Sequence, residues 1–344
     1  MEMRAFPDEI DMLSSMLPNL RLTPLKKLAA LLALAAIATQ ITAAAAPVAG
    51  VDPLTAEIDI SDAQRFASLM KDGAVPSAEA LQRSYLDGAG RGVSIFTPNR
   101  IVDAGNLAQV VAARPDNYRH AIRECLPQLP ALRSDLRAIY LAFAGLLPER
   151  RLPAIHVVFG AGNSGGTANS EAQVIGLEVV CQLGAAPDTF RATMRDFFAH
   201  ETVHTWQGKS SPQALLDPLL NQSLREGVAD YLASLVTGQI PDARRDAWAR
   251  EREAWLWEEF QRDRQALKAD SKSLKKPGAS PHYRRWLSNY GSAPEGWPHE
   301  AGYWVGMRIA EAYVARARDK HAAIRDLIEL KDPNAILAAS GYGL

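Results

Sequence analysis

The residues whose types and spacing best suit chemistry lie in DFFAHETVHTWQG, at positions 196–208. His200, Glu201 and His204 form the pattern H-E-x-x-H, and the apolar residues before it recur at the spacing of a helix. Residues four apart share one helix face, so both imidazoles can point at one ion while Glu201 reaches a water on it. Zinc binds neutral imidazole and lowers the pKa of a bound water toward about 7, and a carboxylate can then remove the proton. The pattern therefore indicates hydrolytic zinc chemistry.

A third ligand is expected because catalytic zinc sites usually have three protein ligands. Glu226 opens the sequence EGVAD in the next predicted helix, and the intervening chain is long enough to bring it back to the same ion. Asp230, one turn further on, is placed to accept the second ring N–H of a ligand histidine. A solvated helix face is the usual place of such an acidic pair, but the small residues Gly227 and Ala229 favour close helix contact. We therefore predict Zn²⁺ held by the two histidines and Glu226.

Hydrolysis of an amide also needs a group that stabilises the oxyanion. The predicted candidates are Tyr303 and His299 in PHEAGYWVG, placed one helical turn apart, with Tyr231 as a weaker alternative. The competing interpretation of Tyr303 is an aromatic side chain that packs in the core of an amphipathic helix. His299 begins a His-Glu pair but has no histidine four residues later, so it does not start a second H-E-x-x-H.

The elements that position these residues begin with a β-branched run, IHVVF at 155–159. A glycine-rich loop, GAGNSGGTANS, leads to a second run at 172–180, and the pattern predicts strand, loop, strand. The loop lacks the lysine of a phosphate-binding loop and does not open a helix directly, which argues against nucleotide binding. We interpret it as a hairpin-like edge beside a cleft, where glycine lets another backbone approach.

Amphipathic spacing predicts helices through most of the remaining chain. The segment 271–298 is rich in turn-forming residues and is predicted to be an extended surface loop or lid. The expected fold is α+β, mostly helical, with a small sheet beside the active-site helix. The main helices are predicted at 76–92, 132–147, 187–207, 221–238, 241–270 and 299–317.

The N-terminus has the layout of a secretory signal peptide, predicted at 1–46. An apolar run at 28–41 follows Arg21, Lys26 and Lys27, precedes the small residues TAAAAP, and is too short for a comfortable bilayer span. We therefore expect cleavage, an exported chain and no stable membrane anchor. A helical region at 47–150 and a catalytic region at 151–344 are expected to follow, or a single domain covering 47–344.

Charge and cysteine content narrow the partners. The 38 Lys and Arg against 39 Asp and Glu, with no basic stripe, argue against nucleic acid. Cys125 and Cys181 are compatible with one disulfide in an oxidising compartment or with two buried thiols, and their spacing does not suggest a metal site. The composition does not predict an oligomeric state.

The motif HETVH followed by EGVAD resembles the gluzincin class of zinc metallopeptidases. The ordered set GAGNSGGT, AHETVH, REGVADYLASLVTG and AGYWVGMRIAEAY is similar to a bacterial family of predicted zinc-dependent proteases related to gliding-motility lipoproteins. The resemblance runs from residue 155 to the C-terminus and implies an active-site helix, a glutamate helix and an upstream strand that borders the cleft. It implies no substrate, and without a lipid-acceptor cysteine near the cleavage region a motility role is not carried over.

The sequence thus predicts an exported, periplasmic or secreted zinc metallohydrolase, and in particular a peptidase that acts on a peptide or protein. One alternative is an exported binding or assembly protein with a non-catalytic zinc site. The other is a zinc amidase that acts on cell-wall peptides.

Overall fold

The computed structural model describes residues 50–343, so the predicted signal peptide lies outside the described residues. Within this range the fold is α+β and mostly helical, with one four-stranded sheet, as predicted. None of the helices in this range combines the length and the apolar character that a bilayer crossing needs.

The sheet contains β1 (Ile58–Asp59), β2 (Ala154–Val158), β3 (Gly166–Ala168) and β4 (Ala172–Gly176) in the order β1-β2-β4-β3. β1, β2 and β4 are parallel, and β3 is antiparallel to β4. The two predicted strands, β2 and β4, are therefore parallel neighbours and do not form a hairpin with each other. The hairpin is formed by β4 and β3, and β3 lies inside the predicted glycine-rich loop. The predicted strand at 172–180 also ends early, since the residues after Gly176 form a helix.

The first half of the described chain packs short helices against this sheet. Phe66, Tyr85, Tyr118 and Phe159 form a buried aromatic cluster where these helices meet β2. Three of the helices continue into single π-helical segments, at Gln82–Leu86, Thr97–Ile101 and Ala121–Cys125. The helices are α1 (Ser61–Leu69), α2 (Ala78–Leu81), α3 (Arg91–Phe96), α4 (Ala104–Ala113), α5 (Pro115–His120) and α6 (Arg133–Leu146).

A disulfide joins Cys125 to Cys181. It links the π-helical segment after α5 to the helix that follows β4, and it decides between the two alternatives that the sequence left open. Disulfides are typical of oxidising compartments, which agrees with an exported chain. Removing a native disulfide of this kind typically costs about 2–5 kcal/mol.

The second half of the described chain is helical. Its helices are α7 (Leu177–Leu183), α8 (Pro187–Trp206), α9 (Pro218–Thr237), α10 (Ala243–Arg250), α11 (Glu253–Ala269), α12 (Ser271–Lys275), α13 (Pro281–Arg284), α14 (Ala301–Arg316), α15 (Lys320–Glu329) and α16 (Pro333–Ser340). The longest of them are α8 and α9, with 20 residues each. α8 carries the H-E-x-x-H pattern and begins at Pro187, whose fixed φ suits a first helical turn. α9 ends at Gly238, which has a left-handed backbone with φ 70°.

α9 and α14 pack backbone to backbone through two glycines. A side chain at Gly227 would clash with the backbone at Gly306 and Met307, and one at Gly306 would clash with the backbone carbonyl of Ser223. The small residues beside Glu226 thus allow the close contact that the sequence suggested. This contact places α14 directly against the helix that carries the predicted glutamate ligand.

Two predictions for the last third are wrong. The single helix expected at 241–270 is two helices, α10 and α11, and α10 buries Arg245 and Asp246. The segment 271–298 is not an extended surface loop, since it contains two short helices and buries Trp286 and Asn289 completely. The Glu300 carboxylate accepts hydrogen bonds from the backbone N–H groups of residues 288 and 289, and these bonds fix the backbone of the segment there.

Candidate metal centre

Three ligand atoms from α8 and α9 converge on one point. His200 Nε2 and His204 Nε2 are 2.9 Å apart, and Glu226 Oε2 lies 3.3 Å from the first and 3.1 Å from the second. Among the described residues this is the one group of acidic, histidine or cysteine side chains close enough to share an ion. The tertiary structure therefore brings together all three predicted ligands.

Hydrogen bonds on the far side of each imidazole assign the ring tautomers. His200 Nδ1 lies 2.9 Å from Asp230 Oδ1, and a carboxylate only accepts, so this nitrogen carries the proton. His204 Nδ1 lies 2.8 Å from Gln207 Oε1, and the amide nitrogen of Gln207 donates to the carbonyl of Arg225. When the imidazoles are neutral, both Nε2 lone pairs therefore face Glu226, and the three electron-rich atoms repel one another unless a proton or a metal cation lies between them.

The donor set fits zinc. Tetrahedral ligands at about 2.0–2.2 Å from zinc lie about 3.3–3.6 Å from one another, and the observed spacings of 2.9–3.3 Å are close to this. Two imidazoles and one carboxylate form a typical catalytic zinc set, which leaves a position for water or substrate.

The electrostatics of the cluster also suit a cation. Burial disfavours the charge on Glu226, but the facing charge of His204 and the hydrogen bonds from both imidazoles hold its pKa well below the usual range. Burial also opposes protonation of His200, yet its hydrogen bonds to Asp230 and Glu226 raise the pKa of this imidazole well above its ordinary value. The carboxylates of Glu226 and Asp230 thus stabilise positive charge in the site.

Glu201 is buried beside the cluster without a hydrogen-bond partner. Its side chain is 6% exposed, and Oε2 has no partner among residues 50–343. Burial raises the pKa of this carboxyl. Oε1 lies against the backbone of Gly166 in β3, where any side chain would clash with it. The carboxylate is therefore free to accept a proton, and the edge strand passes directly beside it.

Tyr303 lies next to the cluster. Its ring is nearly parallel to the imidazole of His200, with an interplanar angle of 9° and centroids 6.0 Å apart. Burial and the charges of Glu226 and Glu300 raise the pKa of the phenol well above its usual value, so it keeps its proton at neutral pH. A neutral phenol beside the cluster is available as a hydrogen-bond donor.

His299 makes no hydrogen bond or ring contact with the cluster within the described range. α14 begins at Ala301, after Glu300 with a positive φ of 56°, so His299 and Tyr303 are not one helical turn apart as predicted. His299 Nδ1 meets the backbone of Asn289 and Gly291, and its ring lies beside Tyr290. Tyr231 is buried on α9, and no hydrogen bond or ring contact joins it to the two ligand histidines within the described range.

Three residues that the sequence did not single out complete the surroundings. Arg245 Nη2 lies 2.5 Å from Asp230 Oδ2, and its guanidinium lies 5.3 Å from the centroid of the Tyr303 ring. Gln207 fixes the tautomer of His204, as described above. Burial, with the charges of Glu226 and Glu300, raises the pKa of Tyr283, in the 271–298 segment, to about 12.

Only one of these three residues had a usable sequence signal. Gln207 lies three residues after His204, on the same helix face, so its spacing could have found it. Arg245 lies in a run of charges, ARRDAWARERE, where nothing distinguishes it from its neighbours.

The fold and the site define an α+β protein with a partly buried His-His-Glu cluster and an adjacent buried, unpartnered carboxylate. The model of the family described as gliding motility protein GldB matches residues 102–343, which is more than half of the chain and includes every residue of the site. The chain belongs to this family, which confirms the predicted relation to gliding-motility lipoproteins. A lipoprotein family is consistent with an exported chain. No curated protein and no solved structure matches the chain.

Proposed function

We propose that this protein is an exported zinc-dependent metallohydrolase of gluzincin type, acting as a peptidase in the periplasm or outside the cell. The observation that carries the proposal is the convergence of three ligand atoms beside a buried glutamate that has no other partner. Leaving a buried polar group unsatisfied costs about 1–3 kcal/mol. A site that only holds a metal gains nothing from an unpartnered carboxylate. A general base needs one, because its oxygen must be free to accept a proton.

His200, His204 and Glu226 would hold the metal, with Asp230 orienting His200 and Gln207 orienting His204. When bound, zinc supplies Lewis acidity toward a carbonyl oxygen and lowers the pKa of a coordinated water. Glu201 takes a proton from the attacking water and delivers it to the leaving amine. The raised pKa of its carboxyl suits this exchange, because a base that is too acidic would not accept the proton.

The substrate would lie along β3. This strand is at the end of the sheet, and within the described residues only β4 pairs with it, so its outer backbone groups can accept an extended chain. An extended peptide can add to such an edge by main-chain hydrogen bonds. Because Gly166 touches Glu201, a peptide aligned on β3 would pass the base. This geometry favours a peptide or protein substrate.

Tyr303 is the stronger of the two predicted oxyanion stabilisers. It is protonated, and its ring lies beside His200. His299 is engaged with the backbone of the 289–291 segment and is the weaker candidate.

The rival function is that of an exported binding or assembly protein that keeps zinc without hydrolysis. The description of the family as a gliding motility protein favours this rival, while the unpartnered Glu201 favours the peptidase.

Metal content and hydrolysis together test the proposal. Protein purified without chelator should contain near-stoichiometric zinc by mass spectrometry of the metal, and His204→Ala should lose it. Wild type should hydrolyse casein or a mixed peptide library, and Glu201→Gln should not, while Glu258→Gln, an exposed position on α11, should match wild type. Zinc binding with equal or no hydrolysis in the wild type and Glu201→Gln would favour the binding protein. Cleavage of muropeptides alone would favour a cell-wall amidase.

A further inference from the structure

Glu178 is a second buried glutamate near the site, and the proposed reaction does not use it. It lies in the first turn of α7 and is 1% exposed. No charged side chain among the described residues contributes to its pKa. A buried carboxylate needs compensation, and here the compensation comes from the backbone. Gly160 N–H donates to both carboxylate oxygens, at 3.1 and 3.0 Å, and Gly162 N–H donates at 3.0 Å.

These donors belong to the glycine-rich loop that connects β2 to β3. The loop backbone closes around the carboxylate, since a side chain at Gly160 would meet both Phe96 and Glu178. Tyr118 donates its hydroxyl proton to the carbonyl oxygen of Gly160 at 2.9 Å. The Tyr85 hydroxyl bonds both backbone groups of Phe159, so the start of the loop is held by one carboxylate and two phenols.

Residues 176–178, which lead from β4 into α7, also hold the end of the loop. Gly176 N–H donates to the carbonyl of Gly165 at 3.0 Å, and the carbonyl of Ser164 packs so closely on Gly176 that a side chain there would clash. Residues 176–178 thus hold the loop at both ends, immediately before Gly166 passes Glu201. The path of β3 beside the base depends on this turn.

We infer that Glu178 is a positioning residue that fixes the glycine-rich loop, and through it sets the distance of the substrate-binding edge β3 from Glu201. The inference rests on the proposed function for its consequence in catalysis, but its structural part does not. Glutamine has the same shape but only one acceptor oxygen, and its NH₂ group would face N–H donors. Glu178→Gln should therefore loosen the loop without changing the metal ligands.

The charge state of Glu178 provides a second way to test its role in the loop. Burial raises its pKa to about 7, and the hydrogen bonds from Gly160 and Gly162 only partly oppose this. The ionisable groups that face it are the phenols of Tyr85 and Tyr118, whose pKa values burial raises far above neutrality. Because this raised pKa means that the closed loop favours the protonated carboxyl over the ionised one, loop ordering should decrease between about pH 6 and pH 8 as Glu178 ionises.

Amide hydrogen exchange on the zinc-loaded full chain tests the inference. In Glu178→Gln the protection factors of residues 160–168 should fall about tenfold, while those of α8 and the zinc dissociation constant stay at wild-type values. Tyr118→Phe should lower loop protection less, and it serves if Glu178→Gln does not fold. Glu149→Gln, at an exposed position before β2, is the matched control.

Amide exchange and peptide hydrolysis, measured together, distinguish the positioning role of Glu178 from the proposed peptidase function. If wild type cleaves peptides, Glu178→Gln should raise KM for an extended peptide more than it lowers kcat. If no peptide is cleaved but loop protection falls as stated, the peptidase proposal fails and the positioning role stands. The inference would be overturned if loop protection were unchanged in both variants, or if wild-type loop protection did not change with pH. It would also be overturned if α8 lost as much protection as the loop.

Discussion

Glu178 and Glu201 are two buried glutamates that contact the same glycine-rich stretch, Glu178 at Gly160 and Gly162 and Glu201 at Gly166, and they differ in how their charges are compensated. Glu178 accepts three backbone hydrogen bonds, whereas one oxygen of Glu201 has no partner in the described part of the chain. A carboxylate that is fully bonded holds the structure in place. A carboxylate left without a partner, next to a convergent set of metal ligands, remains available for proton transfer. The comparison separates a positional role from a chemical one.

The largest expected effect is on the rate of hydrolysis in Glu201→Gln. Loss of a general base typically lowers the rate by about 10²–10⁴-fold, and zinc content should be unchanged because Glu201 is not a ligand. Steady-state kinetics with metal analysis measure both. A rate within a few-fold of wild type would assign Glu201 a structural role like that of Glu178.

The next effect is on the pH dependence of stability at Glu178. Its folded pKa of about 7 exceeds its ordinary value of 4.5, so the stabilisation it contributes is complete below pH 4.5 and is lost as the pH rises through 7. The free energy of unfolding of wild type relative to Glu178→Gln should therefore fall by about 3 kcal/mol between pH 4.5 and pH 8. Urea denaturation of metal-free protein at several pH values measures it, and a flat difference would contradict the raised pKa.

A smaller effect is expected at Asp230, the carboxylate that is bonded both to a ligand histidine and to Arg245. Asp230→Asn removes the charge that orients His200, and such changes typically weaken metal binding by about 10–100-fold. Competition with a fluorescent zinc chelator gives the affinity. Asp326→Asn, at an exposed position on α15 where the Tyr313 hydroxyl donates to the carboxylate, is the control. Wild-type affinity in Asp230→Asn would mean that His200 is oriented by the helix alone.

The smallest effect concerns the stability of Glu201→Gln. Replacing an unpartnered buried carboxylate by a neutral amide of the same shape should stabilise the metal-free protein by about 1 kcal/mol. Chemical denaturation in the presence of chelator measures this change. A loss of stability would show that Glu201, like Glu178, contributes to holding the fold.

The parts of the fold that could be predicted are those with a strong local signal. Helical spacing predicted α6, α8, α9 and α14 close to their observed bounds, because each buries one face over several turns. The break between α10 and α11 was missed, and so was the burial of Arg245 on α10 against Asp230, a contact between helices that local spacing does not record. The end of β4 was missed for a similar reason: Glu178 turns inward to the loop, and no local preference records that.

The sequence by itself determined that His200 and His204 share one helix face and predicted Glu226 as their partner, because helical periodicity fixes the first relation and small residues mark a close helix contact beside the glutamate. Only the tertiary structure decided that Tyr303 and not His299 lies beside the cluster, that Cys125 and Cys181 are bonded, and which of two buried glutamates is left unpartnered. Those outcomes depend on contacts between residues far apart in the chain. Their geometry is set by packing, which residue type and spacing do not encode.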